Sequence, residues 1–202
     1  MPGKRYQHIL LLAHGAGAGM EHPFMESLAA RFEKAGIATL RFQFPYMEEG
    51  KRRPDRPAVA HAAIQQAFLR ALDYGKKYHA DVFAGGKSFG GRMVSQAAAL
   101  GLISGAYGLI FFGFPLHAAG KPGTQRAEHL SVVSHSMLFF QGTRDALADP
   151  VLIRKTVDIL KNAKLCMFEG ADHGFRTPKS SRMSADMVMD QMVDESVQFM
   201  SS

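Results

Sequence analysis

The sequence predicts an α/β fold: a three-layer sandwich around a mostly parallel sheet of about six strands, in a single domain over residues 1–202. Three observations point there. Short apolar runs alternate with longer amphipathic stretches along the whole chain, as expected of strands joined by helical crossovers. The first of the short runs, His8 to Ala13, is continuous, which suits a strand covered on both faces. Glycine or proline punctuates most of the junctions.

His8 to Ala13 is the first apolar run and the first strand. Gly15, Gly17 and Gly19 make a turn. Pro23 then opens a helix running to about Ala35, with Phe24, Leu28 and Phe32 on one stripe. Gly36 stops it, and Ile37 to Phe42 is a second strand. A loop rich in Pro and Arg leads to a helix from about Ala58 to Lys77. Asp81 to Gly85 is a third strand, Phe89 to Leu100 a helix, and Tyr107 to Phe112 a fourth strand. The connection from Gly113 to about Ser134 holds Pro115, Pro122 and Gly123, with a short helix expected near Arg126–Leu130. Ser136 to Gln141 is a fifth strand. Asp149 is placed to cap a helix starting at Pro150 and running to about Asn162. Lys164 to Glu169 is the sixth strand. The tail from Met183 to Ser202 reads as helix, with Met187, Met192, Val193 and Val197 as packing residues.

Composition narrows the class. Hydrophobic residues make up 47% of the 202 and charged residues 21%, ordinary for a globular chain that buries a sizeable core. The net charge of +6 favours anionic partners. Its densest run, Lys51-Arg52-Arg53-Pro54-Asp55-Arg56, reads either as a solvated loop held open by Pro54 and Pro57 or as a basic rim over a site for anionic substrates. No zinc-finger spacing or RNA-binding signature accompanies the charge, so nucleic acid is a minor reading. The one cysteine, Cys166, rules out an intramolecular disulfide and a cysteine metal cluster; it fits a reducing compartment, so a cytoplasmic location is expected. No metal or cofactor is expected.

Two segments mimic membrane or export signals. Lys4-Arg5 followed by residues 9–13 resembles a leader, but its apolar core is short, and cleavage near Ala18 would discard the first strand. Met93 to Gly120 carries no Asp, Glu, Lys or Arg and is long enough to span a bilayer. Gly101, Gly105, Gly108, Gly113 and Pro115 punctuate it, so it reads as a helix end, a turn and a buried strand. No membrane span is expected.

In a parallel sheet, chemistry sits beyond the carboxyl ends of the strands. The turn after the third strand reads Gly85-Gly86-Lys87-Ser88-Phe89-Gly90-Gly91 and contains Gly-x-Ser-x-Gly. A sharp strand-to-helix turn presents a strained serine hydroxyl, and small neighbours avoid clashes. The bare pattern is weak; the apolar strand before it and the helical pattern after it give it weight. The overlapping Gly86-Lys87-Ser88 mimics a phosphate-binding loop, but position 81, where that motif needs glycine, is Asp.

A serine hydroxyl needs a base. His173 lies just past the last strand, in Gly170-Ala171-Asp172-His173-Gly174-Phe175, where flanking glycines free the loop to aim the imidazole. The base needs a carboxylate to fix its tautomer. Asp145 follows the fifth strand. Asp149 is better read as a helix cap, and Asp172 adjoins His173 in a loop where neighbouring side chains diverge. The chain order Ser88, Asp145, His173 is the hydrolase order. An oxyanion also needs donors. The Phe89 N–H is one, and the Ala16 N–H, in His14-Gly15-Ala16-Gly17 after the first strand, is the second. That glycine turn alone would equally hold a phosphate or only turn the chain, and His14 reads as shaping it.

These residues resemble a compact α/β-hydrolase of the dienelactone-hydrolase-like kind over nearly the whole chain, which implies a minimal fold of six core strands without a large lid. Four further strings resemble one sub-group, the hydrolase-like domains of testis-expressed proteins and of an acetyltransferase-complex subunit. They are Arg41-Phe42-Gln43-Phe44-Pro45-Tyr46, Arg53-Pro54-Asp55, Pro115-Leu116-His117 and Gln141-Gly142-Thr143-Arg144-Asp145. The resemblance implies serine-hydrolase machinery but no agreed substrate. A basic residue at Lys87 resembles the sub-group; its charge favours an anionic substrate or simply faces solvent.

The leading expectation is an esterase acting on a small-molecule ester, with an anionic one favoured by the charge. The alternative is a non-enzymatic interaction module on the same fold, because fold alone does not prove turnover. Phe44, Tyr46, Phe114 and Leu116, with Lys87, are the expected substrate-binding residues, although core packing would place the four apolar ones similarly. Substrate identity and oligomeric state are not readable from the sequence.

Overall fold

The computed structural model describes residues 6–202. Lys4 and Arg5, the charged end of the rejected leader reading, lie outside them. Six strands form one sheet: β1 (His8–Ala13), β2 (Ile37–Phe42), β3 (Asp81–Lys87), β4 (Gly108–Phe112), β5 (Ser136–Gly142) and β6 (Ala163–Phe168). Their spatial order is β2-β1-β3-β4-β5-β6, and every neighbouring pair is parallel. The chain moves outward to β2 on one side of β1, then returns to β3 and builds away on the other side. The order therefore reverses between β1 and β3, where open parallel sheets form their ligand crevice.

Helices cover both faces. On one side lie α1 (Pro23–Lys34) and α6 (Ala185–Met200); on the other lie α3 (Pro57–Tyr78), α4 (Phe89–Ala99) and α5 (Pro150–Asp158). A four-residue helix, α2 (Pro45–Glu48), and a 3-10 helix (Gln125–Val132) sit in the connections. Successive β1 residues serve the two layers in turn: Leu10 and Leu12 join the α1/α6 core, Ile9 and Leu11 the α3/α4/α5 core. This alternation is the period-2 geometry of a strand. It explains the continuous apolar run, since each fully buried Leu contributes about 1.5–3 kcal/mol on whichever face it lies. Aromatic pairs cross between β4 and β5 on both faces, Phe111 with Phe139 at 4.8 Å and Phe112 with Phe140 at 5.4 Å.

The expected elements are present, with three differences. The helix after Asp149 ends at Asp158 rather than near Asn162, because the Asn162 amide turns back to the Ser134 carbonyl (2.8 Å) and leads into β6. In α6 the packing stripe is Val188, Met189, Met192, Val193 and Ser196, while Met187 is 52% exposed. The expectation of Met187 in the core is corrected: the stripe begins one residue later. Helix α2 was not expected. Pro45 starts it, and the Tyr46 N–H donates to Asp55 Oδ2 (3.0 Å), so it folds against the basic loop. Its four residues are too few for periodicity to register. Among the described residues no lid is inserted between strands, and no helix is long and apolar enough to cross a membrane.

Candidate active site

The turn after β3 carries Ser88 at φ 51° and ψ −115°, in left-handed backbone territory that costs a non-glycine residue conformational energy. Its neighbours make the turn possible. A Cβ on Gly86 would lie 2.7 Å from the Ala13 carbonyl oxygen, and one on Gly90 2.5 Å from that of His14. Both glycines are therefore required by the close passage of the end of β1. Helix α4 begins at the next residue, so the positive end of its dipole meets the Ser88 hydroxyl.

Two loops bring partners to that hydroxyl. Ser88 Oγ donates to His173 Nε2 (2.8 Å), and His173 Nδ1 donates to Asp145 Oδ2 (2.7 Å). The carboxylate can only accept, so it holds the proton on Nδ1 and leaves the Nε2 lone pair facing the serine. Asp145 is 5% exposed and is itself fixed: Gln141 Nε2 donates to Oδ2 and the Leu147 N–H to Oδ1 (2.8 Å). The loops after β5 and β6 are tied to each other, with the Gly170 N–H donating to Thr143 Oγ1 (2.8 Å).

The competing carboxylates are otherwise engaged. Asp149 Oδ1 accepts from the Val151 and Leu152 N–H groups and caps α5. Asp172 Oδ1 accepts from the Gly174 (2.8 Å) and Arg176 (2.9 Å) N–H groups and shapes the loop that carries His173. His117 bolts the loop carrying Asp145 in place: its Nε2 accepts from the Asp149 N–H (2.8 Å) and its backbone N–H donates to the Leu147 carbonyl.

The turn after β1 lies against Ser88. A Cβ on Gly15 would be 3.7 Å from Ser88 Cβ. His14 is fully buried and organises this turn. Its Nδ1 donates to the Gly15 carbonyl (2.8 Å), and its Nε2 accepts from the Phe44 N–H (3.1 Å). The bond accepted at Nε2 requires a neutral ring, and burial, which outweighs the Gly15 bond, lowers its pKa accordingly. The Gly17 N–H donates to Tyr46 Oη (2.9 Å). Between these anchors, the Ala16 N–H makes no hydrogen bond among the described residues. Phe89 is the first residue of α4, so its N–H has no acceptor within the helix.

A cleft of about 710 Å³ opens above Ser88. Gly15, Ala16, Lys87 and His173 line it, together with Phe24, Phe175, Met25, Met189, Leu147 and Arg176. The apolar part belongs to the α1/α6 side of the sheet. This corrects four expected substrate-binding residues. Phe44, Tyr46, Phe114 and Leu116 are at most 1% exposed, belong to the α3/α4/α5 core and do not line the cleft. Phe44 packs edge-on against His14 (4.8 Å) and Phe89 (5.4 Å), while Phe114 packs against Phe111 (5.7 Å) and Phe139 (5.8 Å). They support the site from behind. The sequence pattern did not mark Phe24, Phe175 or Arg176 as cleft residues: Phe24 reads as part of the helix stripe and Phe175 as part of the His173 segment. Phe175 closes that segment and Arg176 follows it, and that proximity to His173 was the available signal.

An open parallel sheet, reversing beside a strained serine that faces an imidazole and a buried carboxylate, defines the class of the α/β-hydrolase fold. The chain belongs to that class by sequence as well: the alpha/beta hydrolase domain family matches residues 6–201. Solved structures agree on the fold. The chain is similar to Est1E from Butyrivibrio proteoclasticus, described with bound ferulic acid (16% identity, 98% of this chain and 91% of that one, TM-score 0.71). It is similar to a dienelactone hydrolase from Anabaena variabilis (20% identity, 96% and 87%, TM-score 0.72). It also resembles XC6422 from Xanthomonas campestris, described as an α/β serine hydrolase without a lid (18% identity, 98% and 85%, TM-score 0.67).

Proposed function

We propose that the protein is a serine hydrolase that cleaves a carboxylic ester, or a related acyl compound, through an acyl-enzyme on Ser88. The observation that carries this reading is the hydrogen-bonded chain from hydroxyl to imidazole to carboxylate, at 2.8 and 2.7 Å. In the proposed cycle Ser88 Oγ attacks the ester carbonyl while His173 Nε2 takes its proton. Asp145 holds the ring and stabilises the imidazolium. The Ala16 and Phe89 N–H groups hold the oxyanion. His173 then returns the proton to the departing alcohol, and water repeats the sequence to free the acid.

The cleft supports an anionic substrate with an apolar portion. Lys87 and Arg176 both line it, and neither forms an ion pair among the described residues. Phe24 and Phe175, stacked at 5.9 Å, provide the apolar wall. The four sequence strings support a kinship with the sub-group of hydrolase-like domains named above, and the lone, half-buried Cys166 supports a reducing compartment such as the cytoplasm. A fluorophosphonate probe tests the reading. It is expected to label the wild-type protein on Ser88, and Ser88→Ala is expected to abolish labelling. Absence of labelling on folded wild-type protein would overturn the reading in favour of a non-enzymatic interaction module.

A further inference from the structure

We infer that Lys87 is a positioning residue: its ammonium clamps the backbone of His173, so that the imidazole stays aligned between Ser88 and Asp145. The inference rests on the hydrolase reading of the site.

Lys87 ends β3, immediately before the nucleophile, and its side chain crosses to the loop after β6. There Nζ donates to the His173 carbonyl oxygen at 2.6 Å. The bond links the strand of the nucleophile directly to the backbone of the base. The surroundings fit an ammonium closely. Its Nζ lies 5.6 Å from the centre of the Phe24 ring and 5.3 Å from that of Phe175, within reach of both π-faces. At the end of β4, a Cβ on Gly113 would come within 2.9 Å of Nζ. That glycine leaves the space the ammonium fills.

Lys87 is costly as a purely structural element. Nζ makes one hydrogen bond and no ion pair among the described residues. The charged groups facing it are Asp145 from the loop after β5 and Asp172 from the loop after β6, and both are bound elsewhere. From α1 it meets the Phe24 ring and, just after β4, Gly113, neither of which carries a charge. Burial outweighs both carboxylates and pulls its pKa down to about 8. A methionine at this position would fill similar space without the desolvation cost. A charge that weakens the fold but fixes the base by a charge-assisted bond is accounted for by the active site.

The test uses the full chain and the second-order rate constant for fluorophosphonate labelling of Ser88, followed from about pH 6 to about pH 10. For the wild type the rate constant is expected to fall above about pH 8, as the clamp loses its proton. For Lys87→Met it is expected to be about tenfold lower at neutral pH and to show no such fall, because misalignment of the base slows attack. Lys87→Arg, which keeps a charged donor, is expected to recover part of the rate and to move the fall beyond that range. Thermal melting of Lys87→Met is expected to be no lower than wild type. Wild-type rate and pH profile in Lys87→Met would overturn the inference. So would a loss of rate that only parallels a loss of melting temperature. Failure of the wild type to label would instead overturn the hydrolase reading beneath it.

Discussion

His14 joins two segments far apart in the chain with one neutral ring. It gives a proton to the Gly15 carbonyl and takes one from the Phe44 N–H, which holds the turn carrying Ala16 against Ser88. His14→Phe would leave the Phe44 N–H buried without its partner, at about 1–3 kcal/mol, and would leave the Gly15 carbonyl with only its bond from the Ala18 N–H (3.3 Å). We expect it to lower the unfolding free energy in urea by that order and to slow fluorophosphonate labelling of Ser88. The pH dependence has a definite sign. The folded ring has a pKa below the ordinary 6.5, so unfolding takes up a proton in the window beneath 6.5. This contribution to stability is present at neutral pH and is lost as pH falls through that window. His14→Phe should lack this part of the acid sensitivity, whereas the same acid profile in both proteins would contradict the assignment.

At the scale of elements, the turn carrying Ser88 depends on the end of β1 and the start of α4 passing closer than a side chain allows. Gly90→Ala pushes a Cβ to 2.5 Å from the His14 carbonyl oxygen. Overpacking of this kind costs about 1–3 kcal/mol, and here it also displaces the first turn of α4. Calorimetry should show the lower melting temperature, and labelling of Ser88 should fall with it; an unperturbed Gly90→Ala protein would contradict this account. The strands and the order of elements were legible in the sequence because the inner strands, β1, β3, β4 and β5, are buried on both faces and read as apolar runs, while the half-buried edge strands β2 and β6 keep enough apolar residues around Thr39, Arg41 and Lys164 to register. Ser88, Asp145 and His173 were legible because each follows a strand, in hydrolase order. The wall of the cleft was not legible. Phe24 and Phe44 both follow a strand–turn segment, and only the packing of α1 and α6 decides which phenyl ring meets the cleft. Local pattern also carries no trace of the bond from Lys87 to the His173 carbonyl, 86 residues away.

Over the whole molecule, about 200 residues build a hydrolase sheet with little beyond the core strands and their helices. With no lid between strands among the described residues, the cleft walls come from α1, α6 and the loops after β1, β5 and β6. The net charge of +6 is carried partly by exposed Arg52, Arg53 and Arg56, and it adds a long-range pull on anionic ligands that salt weakens. The central claim is that Ser88 becomes acylated. Rapid mixing with p-nitrophenyl acetate tests it most directly, with quenched samples digested and mapped by mass. A burst of about one equivalent of p-nitrophenol is expected, with the acetyl group on the peptide containing Ser88. Release of p-nitrophenol without a burst and without an acetylated Ser88, or acetylation confined to another residue such as Lys87, would contradict it.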